Sequence, residues 1–320
     1  MPSGLDQAIE NGAKGVTTNP VLVKRTLSAV PEFWKPYVDQ MDNALTGDAR
    51  ATELTRIVTT TIAKKLFSIY EASNHTQGFV CAQINPNNAS NTEKMIEEAK
   101  YVHTWAPNMA VKMPATGSGI AAMEECAALG ITTVGTVNYT VPQAIAVAQA
   151  QWRGKQRAIQ NGVMPGQAFS VIMLGRLESF LRDVAHDNHA FVTEEDISYA
   201  GMAVSKRAYQ LIREAGYDAQ LMPAGMGCIY HAAALSGGDM TMTISPNIQD
   251  ALAGVTELAP RIDEPVPTDA IARLMTMPEF VRAYEPDGMR PDQFVAFGSV
   301  QRTLSQFVEV GWTPLTTFAY

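Results

Sequence analysis

The sequence predicts an α/β protein built on a parallel sheet and, within that class, a (β/α)8 barrel whose first strand is missing from this chain. Three observations carry this. Seven short, apolar, β-branched runs each end in or beside Gly, Asn, Pro or Ser. Helix-like stretches separate most of them, and regular strand–helix alternation means a parallel sheet covered by helices. The length, 320 residues, suits one such barrel with additions.

The elements follow in order. GLDQAIENGA (4–13) reads as a helix, so the chain begins after the strand that should come first. The seven runs at 14–19, 79–85, 110–114, 131–138, 169–174, 219–225 and 240–245 then supply the second to eighth barrel strands. A gap is expected between the second and the eighth. Met1 is read as an internal methionine, with the true start about 10–20 residues upstream, the length of a strand and its loop. Residues 91–106 space Met95, Ile96, Ala99, Tyr101 and Val102 roughly on one helical face. Residues 119–130 and 141–154 read the same way, the second with Pro142 in its first turn. A proline-rich, acidic stretch at 257–269 divides a barrel of residues 1–256 from an extension of residues 257–320, helical over roughly 269–312. Phe294, Phe297, Val300, Leu304 and Phe307 form an amphipathic stripe there. It is expected to pack on the outside of the barrel, with a lid or a subunit contact as the alternatives. A homo-oligomer stays open.

The bulk numbers exclude several classes. The net charge is −8 and no Lys/Arg run is present, which argues against a nucleic-acid partner. No apolar run approaches 18 residues, so no membrane partner is expected. MPSGLDQAIENG does not read as a signal peptide. Cys81, Cys126 and Cys228 are far apart, as in a reduced, cytoplasmic protein without disulfides. The histidines, at 75, 103, 186, 189 and 231, have no ligand spacing, so no metal is expected. P-loop and dinucleotide fingerprints are absent.

The residue that asks for a function is Lys112, inside AVKMPAT (110–116). Alternate strand residues share a face. Placing Val111 and Met113 against helices leaves Lys112 inside, near the end of the strand where barrel active sites form. A desolvated lysine has a lowered pKa and keeps free amine at neutral pH, as a Schiff-base nucleophile needs. A lysine paired with a carboxylate at the strand end fits the pattern as well.

Three motifs add a resemblance. GVTTNPVLV (15–23) resembles the second-strand signature of transaldolases, AVKMPAT resembles the fourth-strand motif with their Schiff-base lysine, and LGRLESFL (174–181) is similar to their sixth-strand end. The resemblance covers roughly residues 4–250 and extends to the longer members of the family. It implies a (β/α)8 barrel, a cofactor-free class I aldol mechanism on small sugar substrates, and carbohydrate metabolism of the pentose phosphate type. Lys112 would form an imine with a ketose, releasing or transferring a dihydroxyacetone-type unit. Asn19, beside Thr18, would bind a substrate hydroxyl. Gln83, where transaldolases commonly have Glu and related sugar aldolases Gln, would hold a proton-relay water with Thr136. Thr140 matches a small hydroxyl residue. Arg176 matches an arginine that grips a phosphate, a task suited to its planar fork. Each has a plainer reading: Asn19 in an ordinary turn, Gln83 capping a strand, Arg176 paired with Glu178 or Asp183.

The departures matter equally. The family's first-strand aspartate has no counterpart, since Asp6 and Glu10 lie on the following helix. Val171, with Ser170 beside it, stands where a Ser or Thr is expected five residues before the arginine. Gly227 stands where a second phosphate-binding arginine is expected. Weak use of phosphorylated sugars follows, with His231 as a candidate replacement contact. A sugar aldolase acting on a non-phosphorylated substrate and an inactive barrel used as a scaffold are the rival readings.

Overall fold

The computed structural model describes residues 2–255 and 258–320. Helix α1 (Pro2–Glu10) leads to strand β1 (Gly15–Thr17), then to α2 (Pro20–Ala29), α3 (Pro31–Val38) and the long α4 (Gly47–Ala72). Next come β2 (Phe79–Gln83), α5 (Thr92–His103), β3 (Met109–Pro114), α6 (Gly117–Ala128), β4 (Thr133–Thr136) and α7 (Val141–Gln160). The sheet ends with β5 (Ala168–Met173), the helix pair α8 (Leu174–Asp187) and α9 (Glu194–Glu214), and β6 (Gln220–Ala224). All neighbouring strands pair in parallel, in the order β1 to β6.

Side-chain oxygens start the helices that follow the strands. Asn19, Asn91, Thr116 and Thr140 cap α2, α5, α6 and α7, and Thr193 opens α9 with a capping box to Asp196. On the outer face, Val111 and Met113 are fully buried, and Gln151 of α7 donates to the carbonyls of Thr133 and Phe169.

The sheet is curled rather than flat. Phe79 of β2 and Phe169 of β5 meet edge to face with ring centroids 6.2 Å apart. Three strand spacings across a flat sheet would separate them by about 14 Å. This is a partial barrel of the (β/α)8 type, with helices on its outer face.

The expected strand at 240–245 does not form a ladder. Thr241 and Thr243 donate N–H bonds to the carbonyls of Leu221 and Pro223, as in a parallel pair. The bond that would return to Thr241 must come from the nitrogen of Pro223, which has no hydrogen. Six strands are formed among the described residues, and β1 and β6 stand at the two edges of the sheet.

The rest of the chain is helical: α10 (Ile229–Ala234), α11 (Pro246–Leu252), α12 (Thr268–Leu274), α13 (Pro278–Tyr284), a 3-10 turn (Pro291–Ala296), α14 (Gly298–Gln306), a π-helical turn (Phe307–Trp312) and α15 (Thr313–Thr316). Phe294, Phe297, Val300 and Phe307 are buried within this chain. The extension starts on α9, where Arg273 holds Asp196 at 2.7 and 2.8 Å. It then crosses the end of the sheet where the strands finish. A Cβ on Gly117, at the start of α6, would lie 2.9 Å from the Pro291 carbonyl, and one on Gly311 would lie 2.7 Å from Pro20, at the start of α2. Gly311→Ala is therefore expected to lower Tm by about 2–6 °C through overpacking. A melting curve identical to wild type would show that the extension yields at that point. No helix among the described residues is long and apolar enough to cross a membrane.

Candidate active site

Strand register decides which side chains meet. Gln83 is the β2 partner of Lys112, and Val134 is its β4 partner; Pro114 pairs with Thr136. Partners in a ladder share a face, so Lys112, Gln83 and Thr136 all point into the concave interior lined by Phe79 and Phe169. Lys112 is 7% exposed. Its Nζ donates to the carbonyl of Thr18, 3.1 Å away, just past the end of β1. Burial pulls its pKa from 10.5 to about 8; the Cys81 thiol acts against this and the Arg176 guanidinium with it. Burial also pushes the Cys81 thiol up to about 11. No carboxylate pairs with the Lys112 amine among the described residues.

Gln83 is 3% exposed, and its Oε1 has no hydrogen-bond partner in the described chain. Such an oxygen costs stability unless something else satisfies it. Thr136 is fully buried, and among the described residues its hydroxyl meets only the Met173 sulfur, at 3.9 Å. Val137, next in the chain, holds φ at +54°, a strained conformation for a β-branched residue. Gln143 of α7 clamps this turn by donating to the carbonyls of Ala115 and Val137.

The other candidates are placed less simply. Thr18 turns its hydroxyl onto the Cys81 carbonyl at 2.8 Å, so its backbone carbonyl, not its side chain, faces Lys112. Asn19 accepts the Leu22 N–H through Oδ1, which leaves its Nδ2 outside that bond. Thr140 spends its hydroxyl on Gln143, accepting from the N–H and donating to Oε1. His231 is buried on α10 with both nitrogens engaged: Nδ1 accepts the Gly227 N–H at 3.1 Å, and Nε2 lies 3.1 Å from Glu178. Through Nδ1 it holds the loop after β6. Ser170 faces outward and donates to the Ala144 carbonyl, so it does not substitute for Val171 in the interior. Asp6 pairs with Lys65 of α4.

Arg176, in the first turn of α8, is not ion-paired with its neighbours. Asp183 pairs with Arg302 and Glu178 with His231. Its Nη1 donates instead to Gln306 Oε1 at 2.6 Å and to Thr303 Oγ1 at 3.3 Å, and its guanidinium lies 5.9 Å from the Phe307 ring centre. Thr303 also accepts from the hydroxyl of the buried Tyr139, beyond β4. The sequence reading missed Tyr139, Thr303 and Gln306. One trace was visible: Ser299, Thr303 and Gln306 recur at i, i+4 and i+7, a polar line beside the apolar stripe of α14.

Comparison with known proteins adds the lineage. A match to the family described as Transaldolase/Fructose-6-phosphate aldolase covers residues 3–295. The chain is 26% identical over 212 residues to the Transaldolase of Thiobacillus denitrificans, covering 64% of this chain and 58% of that protein. It is 29% identical over 152 residues to Transaldolase 1 of Streptomyces avermitilis (47% and 40%) and to the Transaldolase of Mycobacterium marinum (46% and 40%). The alignments span about half the length of these relatives. A match over residues 3–295 contains Lys112, Gln83, Thr136 and Arg176 in one continuous stretch, and the chain belongs to the transaldolase/fructose-6-phosphate aldolase family.

Proposed function

We propose that the chain is a class I enzyme that makes and breaks C–C bonds of ketoses through an imine on Lys112. The observation that carries this reading is a buried amine, free of any carboxylate among the described residues, beside the unpartnered oxygen of Gln83. The free amine attacks the ketose carbonyl, a proton from solvent is taken up and water leaves, giving an iminium. Loss of the proton from the hydroxyl on the far carbon of the breaking bond then splits that bond. The electron pair moves to the iminium nitrogen, leaving an enamine on Lys112 and releasing an aldehyde. A water held between Gln83 and Thr136 takes the proton. Attack of the enamine on a second aldehyde, then hydrolysis, completes a transfer of a dihydroxyacetone-type unit. Hydrolysis after direct protonation of the enamine makes the same site an aldolase; Gln83, in place of an ionised carboxylate, favours this second reading.

Borohydride reduction of the protein in the presence of fructose or dihydroxyacetone tests the proposal. The expected result is a stable mass gain confined to the peptide that contains Lys112. An unmodified Lys112 peptide with both ketoses would reject the imine and leave a binding protein.

A further inference from the structure

Resting on the imine reading above, we propose that Gln306 determines what Arg176 recognises, and that it sets the site for an uncharged, hydroxylated sugar end rather than a phosphate monoester.

A guanidinium binds a phosphate best through two parallel N–H bonds from one edge. Both hydrogens of Arg176 Nη1 are already directed at the extension, one at Gln306 Oε1 and one at Thr303 Oγ1. The edge formed by the two terminal nitrogens is lost to a ligand, and only the Nε–Nη2 edge remains. The arrangement is anchored: Thr303 is buried and is held from the other side by the buried Tyr139. The turn after β6 lies next to Arg176. A Cβ on Gly175 would lie 2.4 Å from the Gly225 carbonyl and 3.5 Å from the Gly227 nitrogen, so this turn packs against the start of α8. The Gly227 N–H of this turn is turned onto His231 Nδ1. A phosphate dianion would therefore meet one guanidinium through its Nε–Nη2 edge alone, with glycine at 227 in place of a second cation, and its second negative charge would stay uncompensated. A sugar hydroxyl needs only one or two donors, and the remaining edge supplies them. Gln306 and Thr303 both lie beyond residue 295, outside the stretch that matches the family.

The test is the kcat/KM for cleavage of fructose 6-phosphate divided by that for fructose, measured on wild type, Gln306→Ala and Gln306→Met. The methionine keeps the bulk and removes the acceptor, so an unstable alanine variant does not end the experiment. Ser305→Ala, on the exposed side of α14, is the control. Wild type is expected to prefer fructose. The ratio is expected to rise about tenfold or more toward the phosphate ester in both Gln306 variants, carried by KM, as a freed charged donor gives. The control ratio is expected to stay unchanged. A wild-type preference for fructose 6-phosphate, or ratios unmoved in both variants, overturns the proposal. Borohydride trapping at Lys112 with fructose, run on the same proteins, separates the two levels. Trapping with unmoved ratios rejects the role of Gln306 alone, and no trapping in wild type rejects the imine reading and this inference with it.

Discussion

Lys112→Met is expected to fold, to melt at or above the wild-type temperature at pH 7, and to lose all turnover. The activity loss follows from the chemistry, because a thioether forms no imine. The stability gain follows from the burial. A pKa of about 8 in the fold, against 10.5 for a free lysine, means that folding disfavours the charged amine. Below pH 8 the amine is charged in both states and its penalty is at its full value, about 3 kcal/mol by the shift. Between pH 8 and 10.5 the unfolded chain holds the proton and the folded one does not, so stability rises with pH. Methionine removes the penalty and fills a similar volume. The same shift leaves about one amine in ten free at pH 7, against one in several thousand without it. The rate of imine trapping in wild type is expected to climb from pH 6 and level off above about pH 8. A Lys112→Met protein with a tenth of wild-type activity would remove Lys112 from the mechanism. A trapping rate still climbing steeply from pH 9 to 10 would remove the burial argument.

Gln83→Leu carries the second-largest expected effect and the same signature of function held at the expense of stability. Its Oε1 is buried without a hydrogen-bond partner among the described residues. Replacing the amide with a side chain of similar shape removes an unsatisfied acceptor, whose desolvation costs about 1–3 kcal/mol. The variant is expected to melt no lower than wild type. Its kcat is expected to fall by about 10²–10⁴-fold, the usual worth of a positioned proton relay. Activity within tenfold of wild type, measured as ketose cleavage, would place the proton path elsewhere.

The parts of the site that were legible in the sequence are those set by strand periodicity. Alternation along AVKMP put Lys112 on the interior face because Val111 and Met113 had to be buried on the other one, and both are buried. Gln83 and Thr136 follow from the same period applied to neighbouring strands. Capping residues were harder. Thr140 has the right type and chain position, yet a helix start two residues before Gln143 claims its hydroxyl. The surroundings of His231, a candidate substrate contact by sequence, were not legible because nothing local reveals that Glu178, 53 positions earlier, lies against its Nε2. The seventh strand run failed for a reason visible in the sequence only once its neighbour is known: Pro223 cannot return the bond that Thr241 needs.

By itself the sequence determined the parallel α/β class, the inward lysine and the helical extension, because each rests on a local period that hydrophobic burial enforces residue by residue. The tertiary structure alone decided what surrounds Arg176. Its partners Thr303 and Gln306 stand 127 and 130 residues away in the chain. They reach it because Pro291 packs on Gly117 and Gly311 on Pro20, which lays the extension across the strand ends. Contacts between segments so distant arise from the shape of the whole packed core, and no local pattern in either segment encodes the other's position.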